Sequence, residues 1–199
     1  NDKPLQSISN PFNLIKIPNL VSQQEAKELI YFHKTHKHKR SIGDGTDYRA
    51  IDLIHIHTQW VRDIFNRVGH DSISEIYKLT DQKVYPEMTA LNEWAIGGFQ
   101  DPHLDTYSNV DMQHDTVEEK PSREWTLILT LNANYEDGKT YFPDQNYTHQ
   151  PKACEGILFQ GLYHHHGVTP VRRCSRHTIS MWFTEDHKRI LSDARTHNL

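Results

Sequence analysis

The second half of the chain is built from short stretches in which apolar and polar residues alternate. "KVYPEMTALNEWAI", "REWTLILTLNANY", "GKTYFP", "EGILFQGLYHHH" and "RHTISMWF" follow one another from about residue 83, separated by Gly, Pro, Asp and Asn. A period of two is that of a pleated strand, and several short strands at this spacing predict a sandwich or barrel. The first part reads differently. Phe12, Leu14 and Ile17 near a proline predict a short strand. Ser22 with Glu25 is a capping-box pattern, Val21 takes the staple position, and Ala26, Leu29 and Ile30 form an apolar stripe, so a helix starts here. Its basic end, "HKTHKHKR", with His33, His36 and His38, suits a solvated helix C-terminus. "IGDGTDY" reads as a loop and "RAIDLIHI" as a strand; Trp60, Val61, Ile64, Phe65 and Val68 recur at helical spacing, and Ser72 with Glu75 suggests the cap of another short helix.

These elements amount to a mainly β fold with flanking helices. The 199 residues fit a single domain, residues 1–199, with a helical N-terminal part over about 1–81 and a β core over about 82–185. Twenty-two Lys and Arg against 26 acidic residues give a net charge of -4, so no global field draws the chain to nucleic acid or to an anionic membrane. No stretch approaches the roughly 20 apolar residues of a membrane span, no basic start with an apolar run opens the chain as given, and a soluble, cytoplasmic protein is expected. Cys154 and Cys174 are too few for a disulfide framework. Histidine is the unusual count, 15 in all, with clusters at 33–38, 55–57 and 164–166.

The stretch "GGFQDPHLD" holds His103 and Asp105. On a strand, residues i and i+2 face the same way about 6.5–7 Å apart, so an imidazole and a carboxylate can converge on one ion. A second histidine from another strand would complete a facial triad of two histidines and a carboxylate, the arrangement of non-haem Fe(II) oxygenases. The run His164, His165, His166 can supply it, and parity leaves His164 and His166 equally placed. Beyond the turn, Arg176, Thr178, Ser180 and Trp182 share one face of the next strand, with His177, Ile179, Met181 and Phe183 on the other. An arginine on a face suited to burial requires an anion. That anion is either a bound carboxylate, with the Ser180 hydroxyl as a second donor, or a distant Asp or Glu.

"HGVTPVRRCSR", from His166 to Arg176, resembles the distal motif of the prolyl 4-hydroxylase-like branch of the Fe(II)/2-oxoglutarate-dependent dioxygenases. "WAIGGFQDPHLD" is similar to the family's Pro-His-x-Asp element, "LILTLNANYEDGKTYFP" to its strand and hairpin, and "IPNLVSQQEAKELI" to its N-terminal helix entry, so the resemblance covers nearly the whole chain. It implies a double-stranded β-helix, or jelly roll, with N-terminal helices packed on one sheet. It selects His166 over His164 and implies Fe(II) held by His103, Asp105 and His166. It further implies 2-oxoglutarate bound to the metal with its far carboxylate on Arg176 and Ser180, and dioxygen as co-reactant. Ascorbate is admitted as an auxiliary reductant. Trp94 and Leu129 stand where relatives have tyrosines near the cosubstrate, and Trp182 where a tryptophan lines the substrate pocket, although a core aromatic fits Trp182 as well.

The implied activity is hydroxylation of a C–H bond, foremost the 4-position of proline in a peptide or protein, with succinate and carbon dioxide as co-products. A free amino acid or another side chain is the alternative substrate. Nucleic-acid demethylation is disfavoured, because the dealkylating branch carries a second arginine where Trp182 stands. Two readings of other classes remain: a catalytically silent jelly roll that keeps a metal for structure, and a zinc hydrolase using the same ligands. The polar loops 41–50 and 106–123 are long enough to cover a site, and His114, His149 and His187 read as surface residues.

Overall fold

The computed structural model describes residues 12–42, 48–105 and 123–185; residues 43–47 and 106–122, which make up most of the two stretches read as loops long enough to cover a site, and His114 and His187 lie outside the described residues. The chain opens with β1 (Ile15–Ile17) and α1 (Gln23–Thr35), followed by β2 (Ser41–Ile42), β3 (Tyr48–Asp52) and α2 (Gln59–Thr80). The capping box forms as its residues require. Ser22 Oγ accepts from the Glu25 amide at 3.1 Å and a Glu25 carboxylate oxygen accepts from the Ser22 amide at 2.8 Å. The same carboxylate takes a forked pair of hydrogen bonds from Arg67 of α2, which ties the two helices together.

Residues 59–80 form one continuous helix rather than two. Ser72 caps nothing: its hydroxyl donates back to the Val68 carbonyl four residues earlier, the alternative open to a serine inside a helix. The β core follows as β4 (Tyr85–Trp94), β5 (Gln100–His103), β6 (Trp125–Thr130), β7 (Glu136–Asp137), β8 (Thr140–Phe142), β9 (Tyr147–Thr148), β10 (Gly156–Phe159), β11 (His166–Val168), β12 (Val171–Arg172) and β13 (Arg176–Thr184).

Seven strands make the large sheet in the order β1-β10-β6-β13-β4-β3-β2, and four make the small one, β5-β11-β8-β9. All pairings are antiparallel. Three strands from before residue 82 thus belong to the large sheet, so the helical part and the β core share one sheet. The jelly roll predicted from the sequence is the fold.

The two faces of the large sheet do different work. Leu91, Leu127, Leu129, Ile179, Met181 and Phe183 point to one side and pack with Ala26, Leu29 and Phe32 of α1 and Val61, Ile64, Phe65 and Val68 of α2. Fully burying each of these is worth roughly 1.5–3 kcal/mol, so this layer carries the main hydrophobic stabilisation. The other face meets the small sheet, closed at one end by Phe12, Phe142, Ile157 and Phe159 and at the other by Trp94, Tyr135, Val168 and Val171.

Two histidines expected at the surface are interior. His33 is on the apolar stripe of α1, four residues after Leu29, and is fully buried; His149 is buried beside Glu155. Burial lowers the pKa of His33, His149 and His177 to about 4 each, so all three are neutral in the fold. In the unfolded chain they titrate near 6.5, and between those values the unfolded state binds more protons. Stability is therefore full above pH 6.5 and falls as pH drops towards 4, by on the order of a few kcal/mol for each histidine. Thermal unfolding followed from pH 7 to pH 4 should show the midpoint falling through this window; a midpoint flat over it would mean that these imidazoles are not buried.

Candidate active site

A cavity of about 350 Å³ lies between the sheets. His103 ends β5 and His166 begins β11, and the two are direct partners across that antiparallel ladder, with ring centroids 4.4 Å apart. Asp105 follows two residues after His103, its amide donating to the Gly161 carbonyl at 2.9 Å. One carboxylate oxygen is 3.5 Å from His103 Nε2 and the other 3.4 Å from His166 Nε2.

Hydrogen bonds fix which ring nitrogens face the carboxylate. His103 Nδ1 lies 3.0 Å from the Asp101 carbonyl, and His166 Nδ1 lies 3.0 Å from the His164 carbonyl. A carbonyl only accepts, so each Nδ1 carries the proton and each neutral ring leaves its Nε2 lone pair open towards Asp105. This is the arrangement by which outer partners orient metal-binding imidazoles. Burial works against ionisation of Asp105, but the two imidazoles and the Thr126 hydroxyl, which donates to it, hold its carboxyl far below the usual range. For His103, burial is the largest influence and disfavours the cation, but the bond to Asp105, the Asp101 carbonyl and the charge of Asp105 together outweigh it, so its pKa is raised. Two nitrogens and a buried carboxylate oxygen, all within 4.8 Å of one another, make a donor set for one divalent ion.

The three consecutive histidines have three environments. His164 Nδ1 contacts the Gln145 amide and its ring meets the edge of Phe12, while His165 pairs with Asp144 at 2.8 Å on the surface. Strand parity could not separate His164 from His166 because β11 begins at His166, and His164 lies in the preceding turn where parity has no meaning.

Arg176, at the start of β13, lines the same cavity and is only 3% exposed. No carboxylate of the described residues pairs with it. One of its terminal nitrogens reaches Thr140 Oγ1 at 3.4 Å, its guanidinium lies 5.6 Å from the Trp94 ring centroid, and its Nε has no partner. A desolvated cation with open donors is a site for an anion that the described residues do not supply.

Ser180, two turns of the pleat along β13, accepts from the Asn92 amide at 2.8 Å, and Asn92 accepts from the Tyr48 hydroxyl at 2.7 Å. Its own hydroxyl hydrogen is thereby left for the cavity. Tyr48, whose ring also packs tilted against Trp94 with centroids 4.6 Å apart, is a lining residue that sequence reading missed; it comes from β3, in the part read as helical. Trp182 lines the cavity wall with the Arg123 guanidinium 4.9 Å over its ring.

Leu129 is a correction. It is fully buried in the layer between the large sheet and the helices, on the face away from the cavity. Its neighbours Thr126 and Ile128 line the cavity instead, as the alternation along β6 requires.

The fold and this site define a double-stranded β-helix with two histidines and an aspartate converging beside a buried, uncompensated arginine. The sequence model of the 2OG-Fe(II) oxygenase superfamily matches residues 89–184, which hold all of these groups. This segment follows the pattern of that superfamily, which uses Fe(II), 2-oxoglutarate and dioxygen, and with the fold it marks the chain as a 2-oxoglutarate-dependent dioxygenase. A "Putative prolyl 4-hydroxylase" of Acanthamoeba polyphaga mimivirus is 22% identical over 200 residues, covering 93% of this chain and 80% of that one. The viral collagen prolyl hydroxylase of Paramecium Bursaria Chlorella virus-1, solved as its 2OG complex, superposes with a TM-score of 0.64 at 19% identity, over 85% of this chain and 94% of that chain. A Pseudomonas putida prolyl-4-hydroxylase does so with 0.61 at 14% identity, over 86% and 92%. These structural likenesses establish a shared fold.

Two substitutions separate the roles of the sheet faces. A Cβ on Gly161 would collide with the Asp105 carboxylate and the Thr126 hydroxyl. Gly161→Ala is expected to weaken divalent-ion affinity roughly 10–100-fold, by disturbing the orientation of Asp105. Leu129→Ala is expected to cost about 2–5 kcal/mol of stability and to leave ion and 2-oxoglutarate affinity unchanged. Calorimetric titration and denaturant unfolding check both, and a weakened cosubstrate affinity in folded Leu129→Ala would return that residue to the site.

Proposed function

We propose that the chain hydroxylates proline in a peptide or protein, at the 4-position, with Fe(II) held by His103, Asp105 and His166. The observation that carries the site reading is the buried, unpaired Arg176 guanidinium in the same cavity as the three ligands. An enzyme needing only a metal-bound water would have no use for it, which sets the zinc-hydrolase and silent-module readings behind. The proline assignment is supported by what the mimivirus relative and the two solved prolyl hydroxylases are named for.

In this reading Arg176 forms a charge-assisted, forked pair with the far carboxylate of 2-oxoglutarate, and the Ser180 hydroxyl donates to it as well. Trp94 lies beside the guanidinium and limits where it can point. His103 and His166 present Nε2 because their Nδ1 protons are tied to carbonyls, and Asp105 remains ionised, so an ion displaces only the Nε2 proton that Asp105 favours on His103. When bound, the iron, 2-oxoglutarate and dioxygen would together supply the oxidising chemistry, with dioxygen as oxidant, one of its oxygen atoms entering the C–H bond and the other the succinate formed as carbon dioxide is released. The sheets keep water from the cosubstrate end, and Trp182 with Arg123 forms the wall against which a substrate ring would rest.

The test is anaerobic addition of Fe(II) and 2-oxoglutarate to the apo-protein, followed by the visible metal-to-ligand charge-transfer band. His166→Ala should abolish the band, and Arg176→Ala should raise the half-saturating 2-oxoglutarate concentration roughly 100-fold, the loss of a buried charged partner worth about 3 kcal/mol. With air and ascorbate, proline-rich peptides should gain one oxygen by mass spectrometry. A band without peptide hydroxylation, but with turnover of a free amino acid, would replace the substrate and keep the site; an Arg176→Ala variant with unchanged affinity would refute the cosubstrate assignment.

A further inference from the structure

A second set of metal-ligating side chains lies on the opposite face of the large sheet. His33 comes from α1, Glu93 from β4 and His177 from β13, and the register sets His177 directly against Glu93. One ligand atom from each lies within 4.8 Å of the other two. Both imidazoles are buried, and the Glu93 side chain is only slightly exposed.

The hydrogen bonding leaves imidazole nitrogens of this cluster without a partner. His33 Nε2 lies 3.1 Å from the Arg49 carbonyl, so the proton is on Nε2 and the Nδ1 lone pair faces a Glu93 oxygen at 3.9 Å. His33 Nδ1 has no hydrogen-bond partner, nor has either ring nitrogen of His177, whose Nε2 is 3.8 Å from the other Glu93 oxygen. With the His177 proton on Nδ1, two imidazole lone pairs and a carboxylate converge out of water, and they repel unless something electrophilic lies between them.

The neighbouring cations do not fill that role. Arg40 donates to Glu93 at 3.3 Å and spends its other donors on the His33 carbonyl, while the half-exposed Arg49 is 4.0 Å from the same carboxylate oxygen. Both offset the charge of Glu93, and Lys34 adds positive potential at His177. None of them donates to His33 Nδ1 or His177 Nε2.

We propose that His33, Glu93 and His177 form a second metal site, for a borderline divalent ion of the zinc type, that fastens α1 to the centre of the large sheet. Two imidazoles and a carboxylate suit zinc, with water as the fourth ligand. Bonds of about 2.0–2.1 Å in a tetrahedron put donor atoms roughly 3.4 Å apart, so donor atoms that lie within 4.8 Å of one another draw together by up to about 1.4 Å on binding. The site is tied to the cavity through the strands: Glu93 precedes Trp94, and His177 follows Arg176. An ion here holds the Arg176–Trp94 pair from behind.

The site is tested in a His103→Ala/His166→Ala variant, whose changes lie outside the second cluster, stripped of metal and titrated with Co(II) and then Zn(II). It should bind one equivalent, give the visible absorption of four-coordinate Co(II), and gain several degrees of thermal midpoint; adding Glu93→Gln should remove all three. No binding by the double variant would overturn the second site and leave the first untouched, with Arg40 then sufficient for Glu93. Binding that survives Glu93→Gln and His177→Asn would place the ion elsewhere and overturn it equally. If those core changes unfold the chain, the stoichiometry of the double variant and an anomalous-scattering map of the Co(II) form still decide.

Discussion

The pleat of β13 is the constraint on which the rest depends. This strand runs through the middle of the large sheet, between β6 and β4, and its nine residues alternate without interruption between two environments. Arg176, Thr178, Ser180 and Trp182 face the cavity, while Ile179, Met181 and Phe183 face the helices. A slip of one residue would push an arginine into the apolar layer and three large apolar side chains into the cavity, losing on the order of several kcal/mol at once. The hydrophobic layer therefore fixes the register, and the register aims the arginine. Stability and chemistry are set by the same alternation.

The site itself adds a second constraint, that buried polar atoms be satisfied. The His103 and His166 rings are held by backbone carbonyls, and Asp105 by the Thr126 hydroxyl and, through its own amide, by the Gly161 carbonyl, so orientation does not rely on the ion. Arg176 breaks the pattern, because its charge has no carboxylate partner among the described residues. Natural folds leave such a group unpaired where a ligand completes it.

Much of this was legible in the sequence, for identifiable reasons. Alternation gave both faces of β13, and the spacing shared with a known family singled out His166 where parity failed, since parity is meaningless in the turn before β11. The error at Leu129 has the opposite origin: a position carried over from relatives was preferred to the alternation of β6, which already put Leu129 beside Leu127 in the core. Tyr48 was missed because its strand, β3, joins the sheet from far away in sequence, and no local pattern reveals which strand it will flank. His33 and His177 did leave a signal. Each is a histidine on an otherwise apolar stripe, one at helical spacing after Ala26, Leu29 and Ile30, the other among Ile179, Met181 and Phe183, and each is buried as its stripe implies.

The central claim is that one cavity joins a metal-binding triad to a cation that anchors a dicarboxylate. A crystal structure of the chain grown without oxygen, with 2-oxoglutarate and a divalent ion that does not turn over, tests it most directly. The account predicts the ion about 2.0–2.2 Å from donor atoms of His103, Asp105 and His166, and the far carboxylate of 2-oxoglutarate forked onto Arg176. An ion bound at the triad with Arg176 contacting no ligand would contradict it, as would 2-oxoglutarate bound away from the ion.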